Sequence, residues 1–119
     1  MPKKVLIIDD EPNILATLRD RLVYEGYDVI TAIDGSSGIK QAYQNKPDLI
    51  VLDIMLPDMD GHQVCRILKS TKNIKIPIIV VTSKVDAVDA LKVKKSGADD
   101  FTVKTMDYKS LIEAIKRLI

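Results

Sequence analysis

A chain of 119 residues suits one compact core, and one domain spanning residues 1–119 is expected. Hydrophobic residues make up 46% and charged residues 29%, which excludes a disordered chain, and a formal net charge of +1 gives no electrostatic case for direct nucleic-acid binding. No apolar stretch reaches membrane-spanning length, Met1-Pro2-Lys3-Lys4 runs straight into a strand-like segment, and one cysteine cannot form an internal disulfide, so a cytoplasmic location is expected.

Val5-Leu6-Ile7-Ile8 is a short apolar run that stops at Asp9-Asp10 and reads as a buried strand. Pro12 sits where a first helical turn tolerates it, because the missing N–H would be unpaired there anyway. Ile14, Leu15, Leu18 and Leu22 follow at helical spacing, and Gly26 closes that helix. Tyr27, Val29 and Thr31 alternate with Asp28 and Ile30, a pattern suited to a sheet edge. Ser36 or Ser37 is the expected cap of a second helix carrying Ile39, Ala42 and Tyr43, which Asn45-Lys46-Pro47 stops.

Leu49-Ile50-Val51-Leu52 then forms a strand ending at Asp53, and the turn-rich Pro57-Asp58-Met59-Asp60-Gly61 leads into a helix with Val64, Cys65 and Leu68 inside. Pro77 to Val81 is a strand ending at Thr82-Ser83. Val88 and Leu91 mark a fourth helix that Gly97 terminates. Phe101 and Val103 belong to a short strand ending at Lys104, and Tyr108, Leu111, Ile112, Ile115 and Leu118 give the clearest amphipathic helix.

Strict alternation of strand and helix implies a doubly wound α/β fold, a parallel sheet with helices on both faces. The first, third and fourth strands are apolar throughout and belong inside, whereas the second and fifth alternate and belong at the edges. That placement gives the strand order 2-1-3-4-5, the flavodoxin-like order.

Ligands of open α/β sheets bind beyond the carboxyl ends of the strands, where this chain places Asp9-Asp10, Asp53, Thr82-Ser83 and Lys104. Neighbouring strands lie about 5 Å apart, so three carboxylates would crowd into one shallow pocket. Such crowding is unfavourable unless a cation joins the group, and Mg²⁺ accepts one or two carboxylates while keeping waters. A carboxylate can also attack phosphorus. Asp53 stands alone at a central strand end and is the better nucleophile; Asp9 and Asp10 are better placed to hold metal. Thr82 offers a hydroxyl donor and Lys104 a positive charge for phosphoryl oxygens. Read alone, Asp9 or Asp53 is as consistent with a helix cap as with function, Thr82 reads as a cap or turn residue and Lys104 as a solvated charge; the set together favours function.

Four segments carry a resemblance to a known family: Val5 to Glu11, Asp53 to Gly61, Val81-Thr82-Ser83 and Gly97-Ala98-Asp99-Asp100-Phe101. Together they resemble the receiver domains of two-component response regulators, including the chemotaxis-regulator type, over the whole chain. The resemblance implies a phosphoacceptor switch rather than an enzyme, in which Asp53 takes a phosphoryl group from a sensor histidine kinase or phosphotransfer protein. It further implies Mg²⁺ held by Asp10, Asp53 and the main-chain carbonyl of Met55, with Asp9 acting through water. Thr82 and Lys104 would contact the phosphoryl group, and Phe101 would rotate as Thr82 shifts. The output surface, for a homodimer or a target, would be the fourth helix, fifth strand and last helix, residues 86–119. By the same resemblance, Met55 and Lys84 occupy positions that in such proteins tune hydrolysis of the phosphoryl group, and Met55 is expected to screen it partly from water.

Thr105 departs from the family, which usually has proline after the lysine; a trans Lys104–Thr105 bond and an altered switch surface are expected. His62, after Gly61 at a helix start, reads as a surface residue, and Cys65 as a small buried hydrophobe. Lys92, Lys94 and Lys95, near Asp86 and Asp89, read as a solvated face. Competing functions are an aspartyl phosphatase of the haloacid-dehalogenase kind, which commonly carries an Asp-x-Asp pair and a cap domain, and a non-phosphorylated pseudo-receiver or flavin-binding module. Adjacent Asp9-Asp10 argue against the first. Intact Asp53, Thr82 and Lys104, and the lack of a Ser/Thr/Gly-rich loop after the first strand, argue against the others.

Overall fold

A computed structural model of the chain describes residues 2–70, 75–82, 95–103 and 108–119. Within them the chain runs β1 (Lys4–Ile8), α1 (Pro12–Tyr24), β2 (Asp28–Ala32), α2 (Gly35–Asn45), β3 (Leu49–Asp53), α3 (Gly61–Ser70), β4 (Ile78–Thr82), β5 (Asp100–Val103) and α4 (Lys109–Leu118). The predicted helix around Val88 and Leu91, together with Ser83, Lys84, Asp86, Asp89, Lys92, Lys94, Lys104 and Thr105, lies outside the described residues. The trans bond expected at Lys104–Thr105 lies outside them too.

The sheet is parallel with the order β2-β1-β3-β4-β5, as the hydropathy of the five runs predicts. β3 and β4 are buried at every position and β1 at all but Lys4, whereas β2 and β5 are mostly half-exposed, as edges are. Alternation of side chains along each strand splits the core into two layers. On one face Val5, Ile7, Val51, Ile79 and Val81 pack under Leu15, Leu18 and Leu22 of α1 and Leu111, Ile112 and Ile115 of α4. On the other, Leu6, Ile8, Ile50, Leu52 and Val80 pack under Ala42 of α2 and Val64, Cys65 and Leu68 of α3. Among the described residues, no helix is long and apolar enough to cross a membrane.

The helix ends are set by backbone chemistry. Pro12 opens α1, and at its far end Gly26 takes φ +98°. There the Tyr27 N–H donates to the Leu22 carbonyl and the Gly26 N–H to the Val23 carbonyl, a Schellman closure that requires the left-handed residue. Lys46 closes α2 in the left-handed region (φ 46°), and Pro47 prevents continuation.

Two readings of α2 need correction. Asp34, not Ser36 or Ser37, is the cap: its carboxylate accepts from the Ser37 N–H at 2.8 Å. A carboxylate is the stronger acceptor at the positive end of the helix dipole, so both serines fall inside the first turn. The buried face of α2 is Gly35, Gly38 and Ala42, while Tyr43 is exposed. The helix approaches β1 so closely that a Cβ on Gly38 would lie 2.5 Å from Ile8 Cδ1.

Ile8 is wholly buried and has nowhere to retreat. Gly38→Ala should therefore destabilise the fold by about 1–3 kcal/mol through overpacking. Helix propensity alone would favour the alanine by about 1 kcal/mol. Urea unfolding decides between them, and a raised midpoint would show that Ile8 repacks without cost.

Candidate functional site

β1 and β3 are neighbours in the register Ile8↔Leu52, so the next residues along, Asp9 and Asp53, leave the sheet side by side on the same face. The Asp9 N–H donates to the Ala32 carbonyl at 3.1 Å, extending the β1–β2 ladder one step and fixing the backbone from which Asp9 projects. Asp9 is only 3% exposed, and its Oδ1 accepts from the Glu11 N–H at 3.0 Å. Glu11 is the residue before Pro12, and its side chain makes no capping bond to α1. Asp53, 6% exposed, accepts on Oδ1 from the Met55 N–H at 3.2 Å.

The result is an acidic group. One carboxylate oxygen from each of Asp9, Asp10, Glu11 and Asp53 lies within 4.8 Å of all the others. Asp9 and Asp53 form its buried floor, and Asp10 and Glu11 its exposed rim. The donors are all hard oxygens, with no thiol or imidazole among them, and they fit an oxygen-ligated dication such as Mg²⁺. Of the predicted residues, the structure brings Asp9, Asp10 and Asp53 together. It puts Thr82, buried at the end of β4, one step beyond Val81, the register partner of Asp53. Phe101 is half-buried on β5 against the layer containing Val80 and Leu52. Lys104 and Ser83 fall outside the described residues.

An open basin of about 610 Å³ adjoins the group, lined by Asp10 and by the loop from Ile54 to Asp60. That loop turns back on itself. The Gly61 N–H donates to the Ile54 carbonyl at 2.9 Å, Met55 and Asp60 form an isolated antiparallel bridge, and a Cβ on Gly61 would lie 2.6 Å from Ile54 Cα. Asp60 and Gln63 then form a reciprocal cap on α3. Asp60 Oδ1 accepts from the His62 N–H, and Gln63 Oε1 accepts from the Asp60 N–H. Met55 itself presents its side chain to solvent at 68% exposure, above the loop floor. Farther along the loop, Asp58 reaches across to α2, accepting from the Gly35 N–H at 2.7 Å and the Ser36 N–H at 3.0 Å.

His62 is not on the surface: it is 4% exposed. The buried face of α3 comprises Gly61, His62, Val64, Cys65 and Leu68, so His62 lies at the start of that face. Cys65 is wholly buried, and burial pushes its thiol up, only partly offset by a hydrogen bond from Ser96. A thiol held protonated in this way behaves as a small hydrophobe. Glu11 and Asp58 did not emerge from the sequence as site residues. An acidic residue immediately before a helix-opening proline was the available signal for Glu11; for Asp58 it was only a carboxylate in a tight turn.

Charge crowding makes a first expectation. Asp10→Asn removes one of four neighbouring charges and should raise the melting temperature in metal-free buffer, by up to about 1 kcal/mol of relieved repulsion. It should also shrink the rise that Mg²⁺ produces in the wild type. A lower melting temperature without metal, read by calorimetry, would contradict this.

A second expectation concerns pH. The Ser36 and Gly35 amides favour the ionised form of Asp58 and hold its carboxyl below the ordinary carboxylate value. A depressed folded-state pKa means stabilisation that is complete above the unfolded value and is lost as pH falls through the folded one. Asp58→Asn should thus lower the urea midpoint at neutral pH, and its gap to the wild type should narrow below the ordinary carboxylate range. A gap independent of pH would show that the ionised form contributes nothing.

Comparison with known proteins completes the description. The family model described as the response regulator receiver domain matches residues 5–116. The alkaline phosphatase synthesis transcriptional regulatory protein PhoP of Bacillus subtilis is 41% identical over 119 residues, covering all of this chain and 49% of PhoP. The chain thus spans about half the length of that curated relative. Among solved structures, the Vibrio cholerae chemotaxis protein CheY4 superposes with a TM-score of 0.93 at 27% identity, each chain covered in full. The BeF3-activated N-terminal receiver domain of Klebsiella pneumoniae RstA gives a TM-score of 0.90 at 28% identity, with 97% of each chain covered.

Proposed function

Since the chain belongs to the response regulator receiver domain family, and is a receiver domain of a two-component response regulator, we propose that Asp53 is its phosphoacceptor and that residues 1–119 act as one signalling unit. The observation that carries the reading is the convergence of the Asp9, Asp10, Glu11 and Asp53 carboxylates at the ends of β1 and β3, with buried Thr82 at the end of β4.

In this reading an oxygen of the Asp53 carboxylate attacks the phosphorus of a phosphohistidine on a sensor kinase or phosphotransfer protein. The P–N bond breaks, its electron pair stays with the imidazole, and an aspartyl phosphate forms. The Met55 N–H holds Asp53 Oδ1 and limits rotation of the nucleophile, which is the kind of orientation such a transfer needs. Asp10, Asp53 and the Met55 main-chain carbonyl would hold Mg²⁺, with Asp9 acting through water; the ion would neutralise phosphoryl oxygens during transfer. Thr82 would donate its hydroxyl to a phosphoryl oxygen, with Ser83 beside it, and Lys104 would supply a fixed positive charge.

Movement of Thr82 toward the phosphoryl group opens room for Phe101, and the two together bias the surface formed by residues 86–119 toward its output-competent state. A homodimer or a target protein would read that surface. The protein would act in the cytoplasm as a switch that assists its own phosphorylation and loss of phosphate, and not as an enzyme turning over a separate substrate. Met55, at the rim, would partly screen the acyl phosphate from water.

Incubation with acetyl phosphate and Mg²⁺, followed by intact mass, should add one phosphoryl group to the wild type and none to Asp53→Ala. Chelation should abolish the addition. A phosphoryl group retained by Asp53→Ala would assign the acceptor elsewhere, and turnover of an unactivated phosphomonoester such as p-nitrophenyl phosphate, which a self-phosphorylating switch does not require, would favour a phosphatase.

A further inference from the structure

We infer that Asp58 is a positioning residue of the acidic site: by clamping the loop that follows β3 to the first turn of α2, it sets the affinity of that site for a divalent cation. The inference rests on the reading of the acidic group as a Mg²⁺ site.

Residues 54–60 leave the sheet at Asp53 and re-enter helix at Gly61, and the ends of this excursion are tied together by the Gly61–Ile54 hydrogen bond and the Met55–Asp60 bridge. The outer part of the loop is tied to α2. The two oxygens of Asp58 each take one of two successive amides, Gly35 at 2.7 Å and Ser36 at 3.0 Å, while the third amide of the turn, Ser37, goes to Asp34. Both Asp58 bonds meet the positive end of the α2 dipole, where an ionised acceptor is favoured.

Beside them Met59 lies so close to Gly35 that any Cβ there would overlap its side chain, and Val64 would be 3.0 Å away. Polar and apolar contacts therefore lock the same short stretch of loop to the same turn of helix. Pro57, with its fixed φ, stands between this anchor and Met55. A shift of Asp58 is thus passed along a stiff segment to the peptide groups on either side of Met55. One of those groups donates to Asp53 Oδ1. The other carries the carbonyl assigned to Mg²⁺ by the resemblance to receiver domains. Asp58 is not among the clustered carboxylates, and acts through Met55.

A helix cap with no such role would affect stability alone, and titration calorimetry with MgCl₂ on the unphosphorylated protein separates the two. Asp58→Ala should weaken Mg²⁺ binding about three- to tenfold, less than the 10–100-fold typical for a group bonded directly to a ligand. Asp58→Asn, which keeps an acceptor oxygen, should recover part of the loss, and circular dichroism should show both variants folded at the titration temperature. A lowered melting temperature with a Mg²⁺ Kd within about twofold of wild type overturns the inference. If Asp10→Asn abolishes binding while Asp58→Ala leaves it unchanged, only the role of Asp58 falls. If the wild type takes up no Mg²⁺, the metal-site reading falls and the inference with it.

Discussion

Four carboxylates within 4.8 Å of one another are the constraint around which this fold is arranged. Two of them sit at the ends of adjacent parallel strands, so the register fixes the neighbouring backbone positions from which both project. A close pair at the exposed rim costs on the order of 1 kcal/mol, and the buried Asp9–Asp53 pair costs more. The strands that hold the charges in place bury side chains such as Ile7, Ile8, Val51 and Leu52, each contributing roughly 1.5–3 kcal/mol. Backbone amides help at the two buried members: Glu11 donates to Asp9, and Met55 donates to Asp53.

Both layers of the core reach this pocket. Asp9 and Asp53 emerge above the layer covered by α1 and α4, while the loop from Ile54 to Asp60 rests on the layer covered by α2 and α3. The pocket therefore lies on the seam between the layers, and Asp58 and Met59 stitch the loop to α2 on one side of it. Elsewhere, Lys69 Nζ reaches Asp99 at 2.6 Å and the Ile76 carbonyl at 3.1 Å, while Asp99 also accepts from the Ile78 N–H. This second knot joins α3 to the entries of β4 and β5, at the end of the sheet away from the carboxylates.

Much of the architecture was legible because burial on two faces leaves a strong mark on a strand. Unbroken apolar runs in β1, β3 and β4 named the interior, and alternation in β2 and β5 named the edges. The acidic pocket followed from that order together with the positions of Asp9, Asp10 and Asp53. What escaped the sequence was decided by partners distant along the chain. Gly35 and Gly38 carry no hydropathy signal, yet their missing side chains bring α2 against Met59 and Ile8. Asp34 holds the capping position because its carboxylate, one residue before the helix, reaches the Ser37 N–H, which places both serines inside the first turn. His62 was drawn inside by the phase of α3. Glu11 was marked only by its place before the helix-opening Pro12, and Asp58 has no local pattern that distinguishes it from an ordinary turn carboxylate.

The parallel register has a consequence for how this sequence can change in length. Side chains alternate every residue along a strand, so one residue gained or lost within β1 or β3 would send Asp9 or Asp53 to the opposite face. The acidic quartet is in this sense a vernier, readable only when two scales are aligned to a single division. The turns at Gly26 and Lys46, at the far ends of the strands, carry no such graduation. Natural or engineered insertions belong at those turns, where added chain leaves the alignment of Ile8 with Leu52 untouched.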